Sequence, residues 1–367
     1  MLGSNSPLGP SGASSLHRAH SGTFIMCRSI RTLHPDKNPM NQSITNHVRA
    51  SRHVAPTEIV HTKWTLLISL MVIVMLLTLP PLCSVGRAEQ MPPEEPYVMG
   101  YAGSLSYRAG DALTLHLSSS VPIVEISIAR IGSRREKVYE QKDVACAPQP
   151  IPDRASSDGC GWPATFRMEV PQTWRSGYYQ VDLKTGDGSA TGQSFFIVRG
   201  NGQDAKILLQ LSTNTYNAYT NWGGHSLYSY HDRDGLQGHR VSFDRPISSQ
   251  FAKWELPFVV WAERNGYQID YAANSDLEFH PDLLQRYNLI LSVGHDEYWS
   301  SPMRDALEGY IASGGNVAFF SGNTCCWQVR SEDEGRALVS WKQTPNMDPL
   351  FRTGDHRLLS TAWSHHL

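Results

Sequence analysis

What this chain has little of narrows its function before any motif is considered. Charge is nearly balanced, with 32 Lys and Arg against 34 Asp and Glu and a formal net charge of −2, so charge implies neither nucleic acid nor an acidic partner. There are six cysteines and none stands at zinc spacing, which argues against a zinc module. No G-x-C-x-G elbow surrounds the adjacent Cys325 and Cys326, so a thiol nucleophile is not the first reading of that pair. Residues 1–63 lack a sustained apolar period and carry seven Lys and Arg against two Asp and Glu; they read as a disordered leader.

Residues 64–82 contain no charge, and these nineteen residues are long enough to span a bilayer. Lys63, Arg52 and Arg49 precede the run, an asymmetry that sends the chain after it outward. Residues 64–88 read either as a cleaved signal peptide, with Gly86-Arg87-Ala88 as the cleavage site, or as an uncleaved anchor. The expected location is membrane-anchored, or secreted or periplasmic.

The remaining chain, within a sequence that is 40% hydrophobic, suffices for about two domains with real cores. Over 97–200, short alternating runs such as Leu113-Thr114-Leu115-His116-Leu117, Val124–Ile128, Phe166–Val170, Tyr179–Leu183 and Phe195–Val198 lie between Gly, Pro, Ser and Asp turns. This pattern predicts a β-sandwich, immunoglobulin-like in kind. Cys146 and Cys160 bracket one of its loops and are expected to be bridged in an exported chain.

Over 204–350 the pattern changes to α/β. Lys206–Leu211, Tyr267–Tyr271, Tyr287–Val293 and Asn316–Ser321 read as strands, the last two joined by a helix that Ser301 caps, with Pro302 at its first position. A strand-helix-strand crossover makes its two strands parallel, and ligands in open parallel sheets sit beyond the carboxyl ends of the strands. Three such ends deliver Tyr216, Tyr219, His295, Asp296, Glu297 and Asn323 to one face. Taken singly, each is as well explained by packing or a helix-start hydrogen bond; the convergence points to a site.

Four segments carry a family resemblance: Asn-Ala-Tyr-Thr-Asn-Trp-Gly-Gly (217–224), Val-Ser-Phe-Asp-Arg-Pro (241–246), Ser-Val-Gly-His-Asp-Glu-Tyr-Trp-Ser (292–300) and Gly-Gly-Asn-Val-Ala-Phe-Phe-Ser-Gly-Asn-Thr (314–324). In order and spacing they resemble the large subunit of N,N-dimethylformamidase over about residues 97–350, and the α/β part is also similar to glutamine-amidotransferase-like domains of flavodoxin-like fold. The resemblance implies an amide hydrolase with a ferric ion, Fe(3+), held by two tyrosine phenolates and a glutamate. On this chain those ligands fall on Tyr216, Glu297 and a second tyrosine, Tyr219 or Tyr178, with His295 and Asn323 as catalytic neighbours. It further implies a small-molecule amide substrate and either a small partner subunit or a homo-oligomer. Residues 351–367 read as a truncated tail, since the family continues beyond this point. The competing expectation is a non-catalytic surface protein that binds carbohydrate or peptide through exposed Trp and Tyr side chains.

Overall fold

The structure is a computed structural model that describes residues 24–26, 95–228 and 237–365. The leader beyond 24–26, the apolar run 64–82 and the cleavage site lie outside the described residues. Among the described residues no helix is long and apolar enough to cross a membrane.

The strands in chain order are β1 (Phe24–Met26), β2 (Val98–Ala102), β3 (Ser106–Tyr107), β4 (Ala112–Ser119), β5 (Ile123–Ile131), β6 (Arg135–Ala145), β7 (Phe166–Glu169), β8 (Gly177–Thr185) and β9 (Thr191–Val198). β2, β4 and β7 make one antiparallel sheet, and β3, β9, β8, β5 and β6 make a second sheet, antiparallel except where β3 joins β9 in parallel. Alternation explains why they face each other: Leu113, Leu115 and Leu117 from β4 share one core with Val124, Ile126 and Ile128 from β5 and Tyr179, Val181 and Leu183 from β8. The run Phe195–Val198 has no polar residue because β9 is covered on both sides. Phe196 and Val198 enter the sandwich core, whereas Phe195 and Ile197, with Tyr178, pack against the strands that follow.

Those strands are β10 (Ile207–Leu211), β11 (Arg240–Ser242), β12 (Ile269–Ala273), β13 (Leu289–His295), β14 (Tyr298–Ser300), β15 (Asn316–Gly322), β16 (Trp327–Glu332) and β17 (Ala337–Val339). The principal sheet is fully parallel in the order β1-β15-β13-β10-β12. β10 leads to β12 on one side, then the chain crosses to β13 and β15 on the other, so the strand order reverses beside β10. A smaller sheet, β11-β17-β16-β14, lies past the carboxyl ends of these strands in sequence.

The helices are α1 (Ala155–Asp158), α2 (Thr213–Tyr219), α3 (Phe251–Trp254), α4 (Leu256–Arg264), α5 (Asn274–Phe279), α6 (Ser301–Ala312) and α7 (Leu350–Thr353). In α6, Met303, Leu307 and Tyr310 recur on the buried face. Its cap is Ser300 rather than the expected Ser301: the Ser300 hydroxyl accepts from Met303 N at 3.3 Å, and Pro302 still lies in the first turn. α2 is a departure of kind, because Thr213-Asn214-Thr215-Tyr216-Asn217-Ala218-Tyr219 reads as a polar turn yet forms a helix with six of its seven residues buried. Such residues are modest helix formers, so long-range packing supplies what local propensity does not.

The expected bridge between Cys146 and Cys160 is absent, and both thiols are free. Cys146 packs at the edge of the sandwich core, whereas Cys160 belongs to a separate cluster with Tyr101, Ala155 and Trp162.

The tail is an integral part of the fold. Gln328 N donates to Thr361 O at 2.8 Å, Trp363 N donates to Cys326 O at 3.1 Å, and Arg330 Nη1 donates to Leu358 O at 3.0 Å.

Candidate active site

The site is built where β13 ends. Gly294 has φ +93, and a Cβ there would stand 2.6 Å from Trp254 Cβ, so glycine is required both for the turn and for the close approach of α3. The chain beyond it turns Asp296 inward. Its carboxylate accepts from Gln210 Nε2 at 2.5 Å, Ser292 Oγ at 2.8 Å and Asn274 Nδ2 at 3.3 Å, which ties together the ends of β10, β13 and β12. Burial pushes the Asp296 carboxyl up to about 6, and those three donors pull it back. Asp296 is thus the fixed point of the turn, and its neighbours face the other way.

Glu297 carries the site. Its carboxylate is buried, with Tyr219 Oη donating to Oε2 at 2.7 Å and Trp327 Nε1 donating to Oε1 at 2.8 Å. His295 Nδ1 lies 4.0 Å from Oε2. On its far side, His295 Nε2 meets the Asn323 amide nitrogen at 3.4 Å, with Asn323 in the left-handed region at φ +50. The imidazole is framed by the Tyr219 ring, edge-on at 5.6 Å, and the Trp254 ring, stacked at 6.0 Å. Register delivers this pairing, because His295 stands opposite Gly322 across β13 and β15, one residue before Asn323.

Of the tyrosines expected in the site, Tyr219 is the one that reaches Glu297. Tyr216 turns into the core and donates to Glu255 Oε1 at 2.5 Å; Glu255 Oε1 also receives Ser212 N at 3.4 Å. Tyr178, the alternative, stacks on Phe251 at 4.1 Å and lies near Glu255 as well. The structure therefore groups Tyr216 and Tyr178 about Glu255, and Tyr219, His295 and Asn323 about Glu297.

Among the described residues no group of three or more His, Cys, Asp and Glu is arranged to hold a metal ion. The Tyr219 and Glu297 oxygens converge as hard donors, the type suited to a hard cation. Burial, then the bond to Glu297 and its charge, raises the Tyr219 pKa, so the phenol stays neutral unless a cation compensates. Cys325 and Cys326 are poorly placed as nucleophiles: burial pushes Cys325 up to about 12 and raises Cys326, the wrong direction for a thiolate.

Sequence reasoning missed Trp327, Tyr228 and Lys342, and carried Tyr298 only as an aromatic of the 292–300 motif, without a role. Trp327 is held by the parallel pairing of β14 with β16, which sets it opposite Tyr298, and Tyr228 stacks on Tyr219 at 4.8 Å. Lys342 is buried and donates to Tyr298 Oη at 2.6 Å. Trp327 and Tyr228 stand near the motifs and could have been noted as aromatic neighbours, but nothing local marks Lys342.

A family model described as N,N-dimethylformamidase beta subunit-like, C-terminal, matches residues 125–366. The N,N-dimethylformamidase beta subunit of Paracoccus aminophilus is 30% identical over 224 residues, covering 48% of this chain and 29% of that protein. The beta subunit of the same name from Alcaligenes sp is 29% identical over 222 residues, again covering 48% of this chain and 29% of the relative. The chain thus spans about 29% of the length of these curated relatives. Among solved structures, the titin domains Z1Z2 in complex with telethonin are 20% identical, covering 32% of this chain and 56% of theirs, with a TM-score of 0.15 that carries no argument. With the family model matching well over half its length, and with Glu297, His295 and Asn323 on the strand ends within that match, the chain belongs to the N,N-dimethylformamidase beta subunit-like family.

Proposed function

We propose that this chain is an amide hydrolase acting on non-peptide C–N bonds, with Glu297 and Tyr219 as ligands of a ferric ion. The observation that carries this reading is the 2.7 Å approach of the Tyr219 phenol to the Glu297 carboxylate, with His295 beside it. A ferric ion bound there would supply Lewis acidity toward the amide carbonyl and acidify a water. The protein's own groups do the rest. The Asn323 amide sets the His295 tautomer, leaving the lone pair on Nε2 and the proton on Nδ1 toward Glu297. In the reaction Nε2 exchanges the Asn323 N–H for the attacking water and takes its proton, and the released Asn323 amide donates to the oxygen that gains charge. Trp327 holds the second Glu297 oxygen and keeps the carboxylate oriented.

The fold supports the same reading. We take the sandwich as immunoglobulin-like and the parallel sheet as flavodoxin-like, since its four later strands run 2-1-3-4 in chain order and the candidate residues lie where that order reverses. The relatives' names describe subunits, which supports a partner subunit or self-association for this chain. We also place the chain beyond residues 64–82 outside the cytoplasm, on the basic residues before that uncharged run. A reporter fused after Leu367 and active in the cytoplasm alone would overturn that location.

The test of function is metal content. About one iron per chain, with a visible phenolate charge-transfer band that Tyr219→Phe removes, is the expected result; a colourless, iron-free protein overturns the metalloamidase. A second reading, a carbohydrate- or peptide-binding surface, has in its favour the exposed rings of Trp261, Tyr267 and Phe320, with Phe258 between Trp261 and Phe320 at 5.8 and 6.4 Å.

A further inference from the structure

Lys342 is 6% exposed, and its ammonium lies 4.6, 5.0 and 5.1 Å from the ring centroids of Tyr228, Tyr298 and Trp327. These rings are also walls of the Glu297 site: Trp327 donates to one Glu297 oxygen, and Tyr228 stacks on Tyr219, which donates to the other. One hydrogen-bond partner of the ammonium is found among the described residues, the Tyr298 hydroxyl, whereas an ammonium carries three donors. The charged group that acts on it is Glu297, through space and without an ion pair.

A buried ammonium with no carboxylate beside it is costly, and aromatic faces compensate only in part. Glu297 offsets that charge only through space, with its two oxygens engaged by Tyr219 and Trp327 and no hydrogen bond to the ammonium. Among the described residues, two of the three Lys342 donors therefore lack a hydrogen-bond partner, and no carboxylate pairs with the ammonium.

We infer that the ligand of this site carries a carboxylate, that Lys342 receives it, and that the amides taken up are small carboxylate-bearing ones of the N-acyl amino acid kind. The word amide rests on the proposed function; the preference for an anion does not. Burial pushes the Lys342 ammonium down to about 8, against the pull of Glu297 and Cys326, which leaves it mainly charged at pH 7.

The experiment is calorimetric titration of the full chain with N-formylglycine and with its uncharged counterpart N-formylglycinamide. Wild type is expected to bind the carboxylate at least tenfold more tightly. Lys342→Met should abolish that preference while keeping the affinity for the uncharged amide, and Lys342→Arg should restore part of it. Equal affinity for the two compounds in wild type, binding of neither, or a preference that survives in Lys342→Met overturns the inference. If Lys342→Met does not fold, Lys342→Gln, which keeps a polar head without the charge, takes its place, and the preference is measured at rising salt to confirm that it is electrostatic. Hydrolysis is followed separately: a carboxylate preference without turnover of either compound counts against the amide-hydrolase reading alone.

Discussion

Tyr216 and Tyr219 stand three residues apart on α2 and serve different carboxylates, Tyr216 donating to Glu255 at 2.5 Å and Tyr219 to Glu297 at 2.7 Å. One short helix therefore ties the core around Glu255 to the site at the strand ends, and the two phenols should separate by mutation. Tyr219→Phe should cost about 1.5–3 kcal/mol as a lost bond to a carboxylate and should also lower iron content. Tyr216→Phe should cost a similar amount and leave iron content unchanged. Urea denaturation with iron analysis on both variants checks this, and equal loss of iron in the two would contradict the separation.

Glu297→Gln keeps an acceptor for only one of the two donors that now converge: with its carbonyl on the Trp327 N–H, its amide N–H faces the Tyr219 oxygen, whose hydroxyl must turn away to accept. The expected outcome is a sharp fall in bound iron with a stability loss of about 1–3 kcal/mol and an unchanged far-ultraviolet spectrum. Iron retained at the wild-type level would remove Glu297 from the ligand set.

Glu255 should make stability depend on pH. Burial pushes its carboxyl from 4.5 up to about 7, with Tyr216 and Ser212 pulling it back. Because the folded value lies above the unfolded one, the native state holds the proton more tightly between about 4.5 and 7. The stabilising contribution is complete below that window and is lost as pH rises through it, by about 3 kcal/mol at most. Glu255→Gln cannot ionise and should flatten the slope; denaturation midpoints at pH 5, 6, 7 and 8 for wild type and variant are the measurement.

Arg245 joins two of the sequence motifs. It is fully buried and donates to the backbone oxygens of Ser242, Trp222, Asn217 and Thr220, closing the loop after α2. Arg245→Met should strand several carbonyls and destabilise by at least ~2 kcal/mol. Arg245→Lys should recover little, because an ammonium cannot reproduce the guanidinium's planar spread of donors. A Lys variant as stable as wild type would show that charge alone suffices.

Much of this could be read from the chain, because the relevant physics is local. Alternation of apolar side chains marks β4, β5 and β8, since a pleated strand sends successive residues to opposite faces. Apolar runs stopped by Gly294 and Gly322 mark β13 and β15, and parallel pairing then brings His295, Glu297 and Asn323 together. Tertiary structure decided what local pattern cannot encode. α2 is a helix because six of its seven residues are buried by the elements around it, not because they favour helix. Which tyrosine meets which carboxylate depends on Glu255 and Glu297 arriving from distant segments, and the buried Lys342 lies 45 residues beyond Glu297 in the chain, as the numbering shows. Periodicity is set by neighbours along the chain, whereas a buried charge acquires its partners only when separate elements pack together.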